Sequence, residues 1–280
     1  MMLLADSGST TTRWAALAGD GVREMTTDGL NPRFVSEDRF IDVVETVRDG
    51  LRMEKGMETI CFYGAGCGTA ETASLVAGWL GKVFGVESGA VTVSSDLLGA
   101  CRAVCGCGSG WVGILGTGSN FCYYNGSTVA IQPASTGFVL GDEGSGNHIG
   151  KRLLKDYLEG RMPHGVSVMF HDAYPLTTDQ FLSRIYRQPY PNRFLASLAP
   201  FAAHYEHEEY LSVVLEDCFG SFFDRLDEYD GVREMPVHLV GGIAQSFARP
   251  LSRVAKRKGY AIGTILGNPM CGLIDYHRKR

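Results

Sequence analysis

The signatures that most often announce nucleotide, metal or membrane chemistry are missing from these 280 residues. There is no G-x-x-x-x-G-K-[ST] loop and no G-x-G-x-x-G turn, which argues against a P-loop NTPase and against a dinucleotide-binding βαβ unit. The seven histidines show no H-E-x-x-H or similar spacing. No apolar run approaches the roughly 18 residues of a membrane span. The first residues carry no basic n-region, and their apolar run meets Asp6 too early for a secretory signal. A formal net charge of -5 leaves no basic excess for general nucleic-acid binding. Neither nucleic acid nor membrane is therefore an expected partner. The expected compartment is the cytoplasm, with the eight cysteines reduced.

What is abundant is glycine, 36 residues gathered at turns rather than in a periodic tract. With 45% hydrophobic residues, the chain can fill two modest cores or one large one. The opening stretch sets the pattern. An apolar run over residues 1–5 ends at Asp6, passes through Ser7, Gly8, Ser9, Thr10, Thr11 and Thr12, and an apolar run returns over 14–18. This reads as a strand, a tight turn and a returning strand. The turn is either an anion-binding nest of backbone N–H groups or an ordinary polar hairpin tip. Residues 22–27 form a third strand. Ser36 is a candidate N-cap for a helix to about residue 47, with Phe40, Val43, Val44 and Val47 on one face. Strands over 59–63 and 90–94 alternate with helices over about 69–80 and 97–104.

The pattern then begins again. Residues 111–115 end in Gly116-Thr117-Gly118-Ser119-Asn120, residues 121–124 return, Asn125-Gly126 is a hairpin turn, and 128–132 form a third strand. Residues 145–229 read as almost wholly helical. A strand over 237–240 ends in Gly241-Gly242-Ile243-Ala244, a helix follows to about 258, and a last strand spans 260–265. Asn268-Pro269 opens a final helix. The fold class is α/β, with mixed sheets and helices packed on them.

Small-residue turns at strand ends are where ligands of open α/β sheets collect. Two such hairpins with a later Gly-Gly turn resemble the sugar kinase, heat-shock protein 70 and actin superfamily. The finer resemblance is to its N-acetylglucosamine kinase and BadF/BadG-type ATPase family. It rests on Asp6-Ser7-Gly8-Ser9-Thr10, with serines in two glycine places of a D-G-G-G-T type loop, and on Ser95-Asp96. Gly116-Thr117-Gly118-Ser119-Asn120, Leu140-Gly141-Asp142-Glu143-Gly144-Ser145-Gly146 and Val240-Gly241-Gly242-Ile243-Ala244 complete it, in the family's order across nearly the whole chain.

The resemblance implies two ribonuclease H-like lobes, residues 1–107 and 108–280, with a cleft between them and a last helix free to pack back on the first lobe. It implies an ATP- and Mg²⁺-dependent kinase of a small-molecule sugar, N-acetylglucosamine foremost, working as a homodimer. Gly8, Ser9, Thr10 and Thr11 would contact phosphates from one lobe, and Gly116, Thr117, Gly118 and Ser119 from the other. Gly241, Gly242 and Ala244 would border the adenosine. Asp96 would be the catalytic base, Asp6 the metal ligand, and Asn31, Asn120, Gly137 and Asp142 the sugar contacts.

Plainer roles remain open for several of these. Asp96 is placed to be a helix N-cap. Asp142 and Glu143 precede a helix whose positive end favours acids. Asn31, before Pro32, is a natural turn residue. Two other functions also stand: an ATPase that couples to electron transfer, and a sugar-binding regulator without chemistry. The first needs cluster-ligating cysteines, and Cys61, Cys67, Cys101, Cys105, Cys107, Cys122, Cys218 and Cys271 do not reproduce that pattern. Cys105-Gly106-Cys107-Gly108 lacks the nearby ligands that a tetrahedral zinc needs.

Overall fold

Leu3, Leu4 and Ala5 are wholly buried, so the opening apolar run is covered on both faces. A computed structural model, describing residues 1–53 and 58–279, makes it the central strand of a five-stranded sheet. The chain forms two compact units. One comprises Met1–Ser109, Tyr124–Ala130 and Asn268–Arg280, the other Gly110–Tyr123 and Ile131–Gly267.

The first unit contains β1 (Met2–Ser7), β2 (Thr11–Ala18), β3 (Gly21–Asp28), α1 (Glu37–Gly50), β4 (Thr59–Gly64), α2 (Ala70–Phe84), β5 (Val91–Ser95) and α3 (Asp96–Cys105). Its sheet order is β3-β2-β1-β4-β5. β1 pairs antiparallel with β2 and parallel with β4, which pairs parallel with β5. Leu3 and Ala5 face Phe40, Val44, Val47 and Trp79, which α1 and α2 supply. Trp14, Phe62, Phe40 and Trp79 form a chain of tilted rings with centroids 5.1–5.9 Å apart. Ser36 caps α1 by accepting the Arg39 N–H, and Phe40, Val43, Val44 and Val47 are its buried face.

The rest of the chain supplies β6 (Gly110–Leu115), β7 (Ser119–Tyr124), β8 (Val129–Ile131), α4 (Gly137–Leu140), α5 (Gly146–Leu158), α6 (His164–Ala173), α7 (Thr178–Tyr186), α8 (Pro191–Ala196), α9 (Ala199–His204) and α10 (Glu209–Leu226). There follow β9 (Val237–Val240), α11 (Gly242–Ser246), α12 (Ala248–Arg257), β10 (Ile262–Leu266) and α13 (Met270–Arg278). The second sheet has the order β10-β9-β6-β7-β8, the plan of the first sheet repeated. The expected helix to residue 258 is two helices, because Phe247 leaves helical geometry at φ -111°, ψ 27° with its ring buried in the core. The last helix, α13, belongs to the first unit. Its Met270, Leu273 and Ile274 pack with Leu4 on the sheet face opposite α1, and Gly272 permits the approach, since a Cβ there would lie 2.3 Å from the Ala103 carbonyl oxygen. Among the described residues no helix is long and apolar enough to cross a membrane.

Candidate functional site

In the first unit the turn between β1 and β2 is closed by the Gly8 N–H donating to the Thr11 carbonyl (2.9 Å), which leaves Ser9 and Thr10 at its tip. Ser9 is half-buried, and Thr10 and Thr11 are exposed. The two serines standing in glycine places differ sharply. Ser7 is wholly buried, 2.8 Å from the Thr12 hydroxyl, and accepts the Leu30 N–H at 3.1 Å. Its hydroxyl is a rivet of the fold and adds nothing to a phosphate nest. Gly29 presses on the same turn: its N–H donates to the Thr10 carbonyl, and a Cβ there would lie 2.5 Å from the Gly8 carbonyl oxygen. This buttressing joins segments about 20 residues apart and had no local sequence signal.

Parallel pairing brings the ends of β1, β4 and β5 to one edge of the sheet, with Asp6 opposite Tyr63 and Ser95 opposite Gly64. Asp6 and Asp96 therefore share that edge. Burial, and then the charge of Asp96, raise the Asp6 carboxyl from 3.8 to about 7, against a lowering by its cross-strand neighbour Arg13. Burial raises Asp96 to about 6, moderated by hydrogen bonds from the N–H groups of Leu97 and of Asp96 itself. The capping role open to Asp96 is filled by Ser95, whose Oγ accepts the Leu98 N–H at 3.2 Å. Asp96 is the first helical residue and takes the Leu97 N–H on Oδ1 at 2.9 Å. Near neutral pH it is ionised and has acceptor capacity to spare.

Asn31 does perform the turn role. Its Oδ1 accepts the Arg33 N–H at 3.0 Å, and its carbonyl accepts from Phe34 and Val35. The side chain lies against Gly66, at φ 83°, where a Cβ would stand 2.3 Å from Oδ1. The amide nitrogen is the polar end left for other use.

In the second unit the turn between β6 and β7 is closed by the Gly116 N–H donating to the Gly118 carbonyl. The carbonyls of Gly116 and Thr117 accept the first two N–H groups of α5, from Gly146 (2.8 Å) and Asn147 (3.1 Å). In a planar trans peptide the N–H lies opposite the carbonyl, so the N–H groups of Thr117 and Gly118 are directed away from α5. Ser119 points its N–H to Asp142 Oδ1 at 3.2 Å, and Asn147 Nδ2 donates to Asp142 Oδ2 at 2.9 Å. Ser145 caps α5 by accepting the His148 N–H, so neither acid before the helix is its cap. Asp142 braces the turn instead, and Glu143 pairs with Arg225 at 2.9 Å. Burial and Lys151 lower the pKa of His148, whose Nδ1 accepts the Gly144 N–H at 3.0 Å.

Gly241, at φ 127°, abuts the same turn, since a Cβ would lie 2.2 Å from the Leu115 carbonyl oxygen. Gly242 has no atom within 4 Å of its would-be Cβ, whereas the Ala244 side chain is wholly buried. Ala244 can offer a ligand only its backbone. Asn120 is half-buried and accepts the Phe121 N–H on Oδ1. Gly137 begins α4 at φ 71°, with Val139 and Leu140 beside it 71% and 78% exposed.

The first unit thus gathers Asp6, Asp96, Gly8 to Thr11 and Asn31. The second gathers Gly116 to Ser119, Asp142 and Gly241. Sequence reasoning missed Asn147, His148 and Gly29. For Asn147 the one available signal was an amide side chain in the first turn of the helix after Ser145. Among the described residues no three His, Cys, Asp or Glu form a metal cluster. Mg²⁺ commonly takes one or two carboxylates together with phosphate oxygens and water. The Asp6–Asp96 pair fits that donor set, because a cation would offset the repulsion that raises Asp6.

No family sequence model matches the chain, and no curated protein does. Solved structures do match. A candidate N-acetylglucosamine kinase of Porphyromonas gingivalis is 33% identical, with 100% of this chain and 99% of that one covered and a TM-score of 0.94. A candidate N-acetylglucosamine kinase of Chromobacterium violaceum is 19% identical over 98% of each chain, with a TM-score of 0.71. A ROK family glucokinase from Streptomyces griseus, in complex with glucose and AMPPNP, shares the fold at 11% identity and a TM-score of 0.60, covering 99% of this chain and 98% of that one.

Proposed function

Since the chain belongs to the N-acetylglucosamine kinase and BadF/BadG-type ATPase family, within the sugar kinase, heat-shock protein 70 and actin superfamily, we propose that it transfers the γ-phosphoryl group of ATP to a hydroxyl of an amino sugar, N-acetylglucosamine first among them. The observation that carries the chemistry is the Asp96 carboxylate. It is relieved of capping by Ser95, set beside Asp6, and tuned to a pKa of about 6. A base with that pKa is mostly ionised at neutral pH and still accepts a proton readily as the acceptor hydroxyl becomes nucleophilic.

In the reaction Asp96 takes the hydroxyl proton while that oxygen bonds to the γ-phosphorus. The bond from phosphorus to the bridging oxygen breaks, and ADP leaves with the electron pair. Most of the rate comes from positioning and charge, which small turns supply through backbone N–H groups. The proposed phosphate contacts are the Gly8 to Thr11 turn and the N–H groups of Thr117 and Gly118. Gly241 and Gly242 border the adenosine, where the open side of Gly242 leaves room for a flat ring. Mg²⁺, held by Asp6 directly or through water, would neutralise phosphate charge. With its pKa raised to about 7, Asp6 would be held in its ionised form by such a cation at neutral pH. Asn31 Nδ2, Asn120, Gly137 and the remaining lone pairs of Asp142 are the proposed sugar contacts.

The test is a panel of hexoses and amino sugars with ATP and Mg²⁺, scored for ADP release and for the phosphorylated sugar by mass. Amino-sugar-dependent ADP release with equal sugar phosphate is the expected result. ATP hydrolysis indifferent to every sugar, or iron in anaerobically purified protein, would turn the reading toward the coupling ATPase.

A further inference from the structure

We propose that Asn147 is a positioning residue that locks the second phosphate turn and the Asp142 carboxylate into one rigid piece. The inference rests on the kinase reading of that turn and goes beyond it. Asn147 reaches the turn twice. Its backbone N–H holds the Thr117 carbonyl at 3.1 Å, and its side-chain Nδ2 holds Asp142 Oδ2 at 2.9 Å, while Asp142 Oδ1 takes the Ser119 N–H at 3.2 Å. Gly118 lies between these anchors, and a Cβ there would be 2.8 Å from Asp142 Oδ2, so any side chain at 118 would push on the carboxylate. A displacement of the Asn147 amide would therefore move the phosphate-facing N–H groups and the carboxylate together.

Three observations separate this role from ordinary packing. Asn147 is wholly buried, and its Oδ1 is a buried acceptor with no hydrogen-bond partner. A site needing only volume would hold an apolar residue, since a half-satisfied buried amide costs stability. The amide orientation is fixed by chemistry, because an ionised carboxylate can only accept and so must face Nδ2. Asp142 is also one of three non-glycine residues with positive φ among those described, at 61°, a conformation that surrounding bonds must hold. Behind the clamp, α5 is seated on α8 at Gly150, where a Cβ would lie 1.9 Å from the Leu195 carbonyl oxygen. The helical segment thereby reaches the site indirectly, since it fixes α5, and α5 fixes the turn through Asn147.

The decisive variant is Asn147→Asp, isosteric but with a second carboxylate against Asp142. Other charged groups around the pair are His148, Lys151 and Arg152 on α5, Glu143 before it, and Arg225 from α10, which pairs with Glu143. At low pH the two carboxylates share a proton and the clamp re-forms; at high pH both ionise and repel. Affinity for the Mg²⁺ complex of a non-hydrolysable ATP analogue is measured by calorimetry and expressed as the ratio to wild type at each pH. The expected ratio is within about threefold near pH 5.5 and falls roughly 10- to 100-fold near pH 8.5, the scale of a lost hydrogen bond to a charged group. The exchanged pair, Asp142→Asn with Asn147→Asp, restores an amide facing a carboxylate and should recover nucleotide affinity near pH 8.5. A pH-independent ratio near one, or a folded exchanged pair no better than the single variant, overturns the proposal. If wild type itself fails to bind the analogue, the kinase reading fails instead. Hydrogen exchange at the Ser119 amide then decides the clamp: faster exchange in Asn147→Asp than in wild type at high pH sustains it, and equal protection overturns it.

Discussion

Asp96→Asn should make this protein more stable while removing its chemistry. Asn keeps the side-chain volume, can still accept the Leu97 N–H on Oδ1, and leaves Ser95 capping α3. The change deletes a charge that burial disfavours and that repels Asp6. Asp96 has a folded-state pKa of about 6 against an ordinary 3.8. Below about pH 3 both folded and unfolded chains hold the proton, so its charge has no effect on stability. As pH rises, the unfolded chain ionises first, and the folded state loses stability until Asp96 too has ionised, somewhat above pH 6. At about 1.36 kcal/mol per pH unit the full loss is about 3 kcal/mol, and partial solvent contact brings the expectation to about 1–3 kcal/mol. For a chain of this size that is roughly 2–8 °C in the melting midpoint. Thermal melts of both proteins from about pH 3 to pH 8 should therefore coincide at the acid end and separate in favour of Asp96→Asn as pH rises. Turnover at neutral pH should drop about 10²- to 10⁴-fold, and the Asp6 pKa, followed by carboxyl NMR, should move down. A lower midpoint for the variant at pH 8, a gain that ignores pH, or retained turnover would refute the reasoning.

The same carboxylate, as the proposed base, predicts that kcat/KM climbs with pH through about 6 and then levels, because a base must be ionised to accept the proton; a profile flat from acid to neutral pH would exclude it as the base. Ser7→Gly, which restores the glycine of the family loop, should cost about 1–3 kcal/mol in urea unfolding, since it strips the buried Leu30 N–H of its acceptor, while the Thr12 hydroxyl keeps only the Asp28 carbonyl. An unchanged unfolding midpoint would contradict that. Gly241→Ala, forced against the Leu115 carbonyl at φ 127°, should destabilise by at least about 2 kcal/mol. Gly242→Ala, in open space, should leave stability within about 0.5 kcal/mol and weaken only nucleotide affinity. Equal unfolding midpoints for these two variants would show that the close contact is not maintained.

Short-range order was written in the chain itself. The apolar runs ending at Asp6 and Leu115, each followed by small residues and a returning strand, gave two hairpins at the positions of β1–β2 and β6–β7. The spacing of Phe40, Val43, Val44 and Val47 gave the buried face of α1, and Ser36 its cap. These features depend on neighbours within about one turn of helix or one strand pair, which is the range that periodicity and turn chemistry report. The family was legible too, because its turns recur in a fixed order.

The partners of individual polar groups were not legible, because packing chooses them from distant segments. Ser7 turns inward to Leu30, 23 residues away, and Asp142 closes on Ser119, also 23 residues away. Ser95 caps α3, which leaves the neighbouring Asp96 carboxylate available, and only the folded helix start distinguishes the two. The raised pKa values of Asp6 and Asp96 likewise arise once a parallel sheet brings the ends of β1 and β5 to one edge and buries them. Residue types and their local order therefore determined which chemistry was available. The tertiary structure decided which of those groups were spent on holding the fold and which remained for a ligand, because a hydrogen bond made inside the protein is no longer on offer outside it.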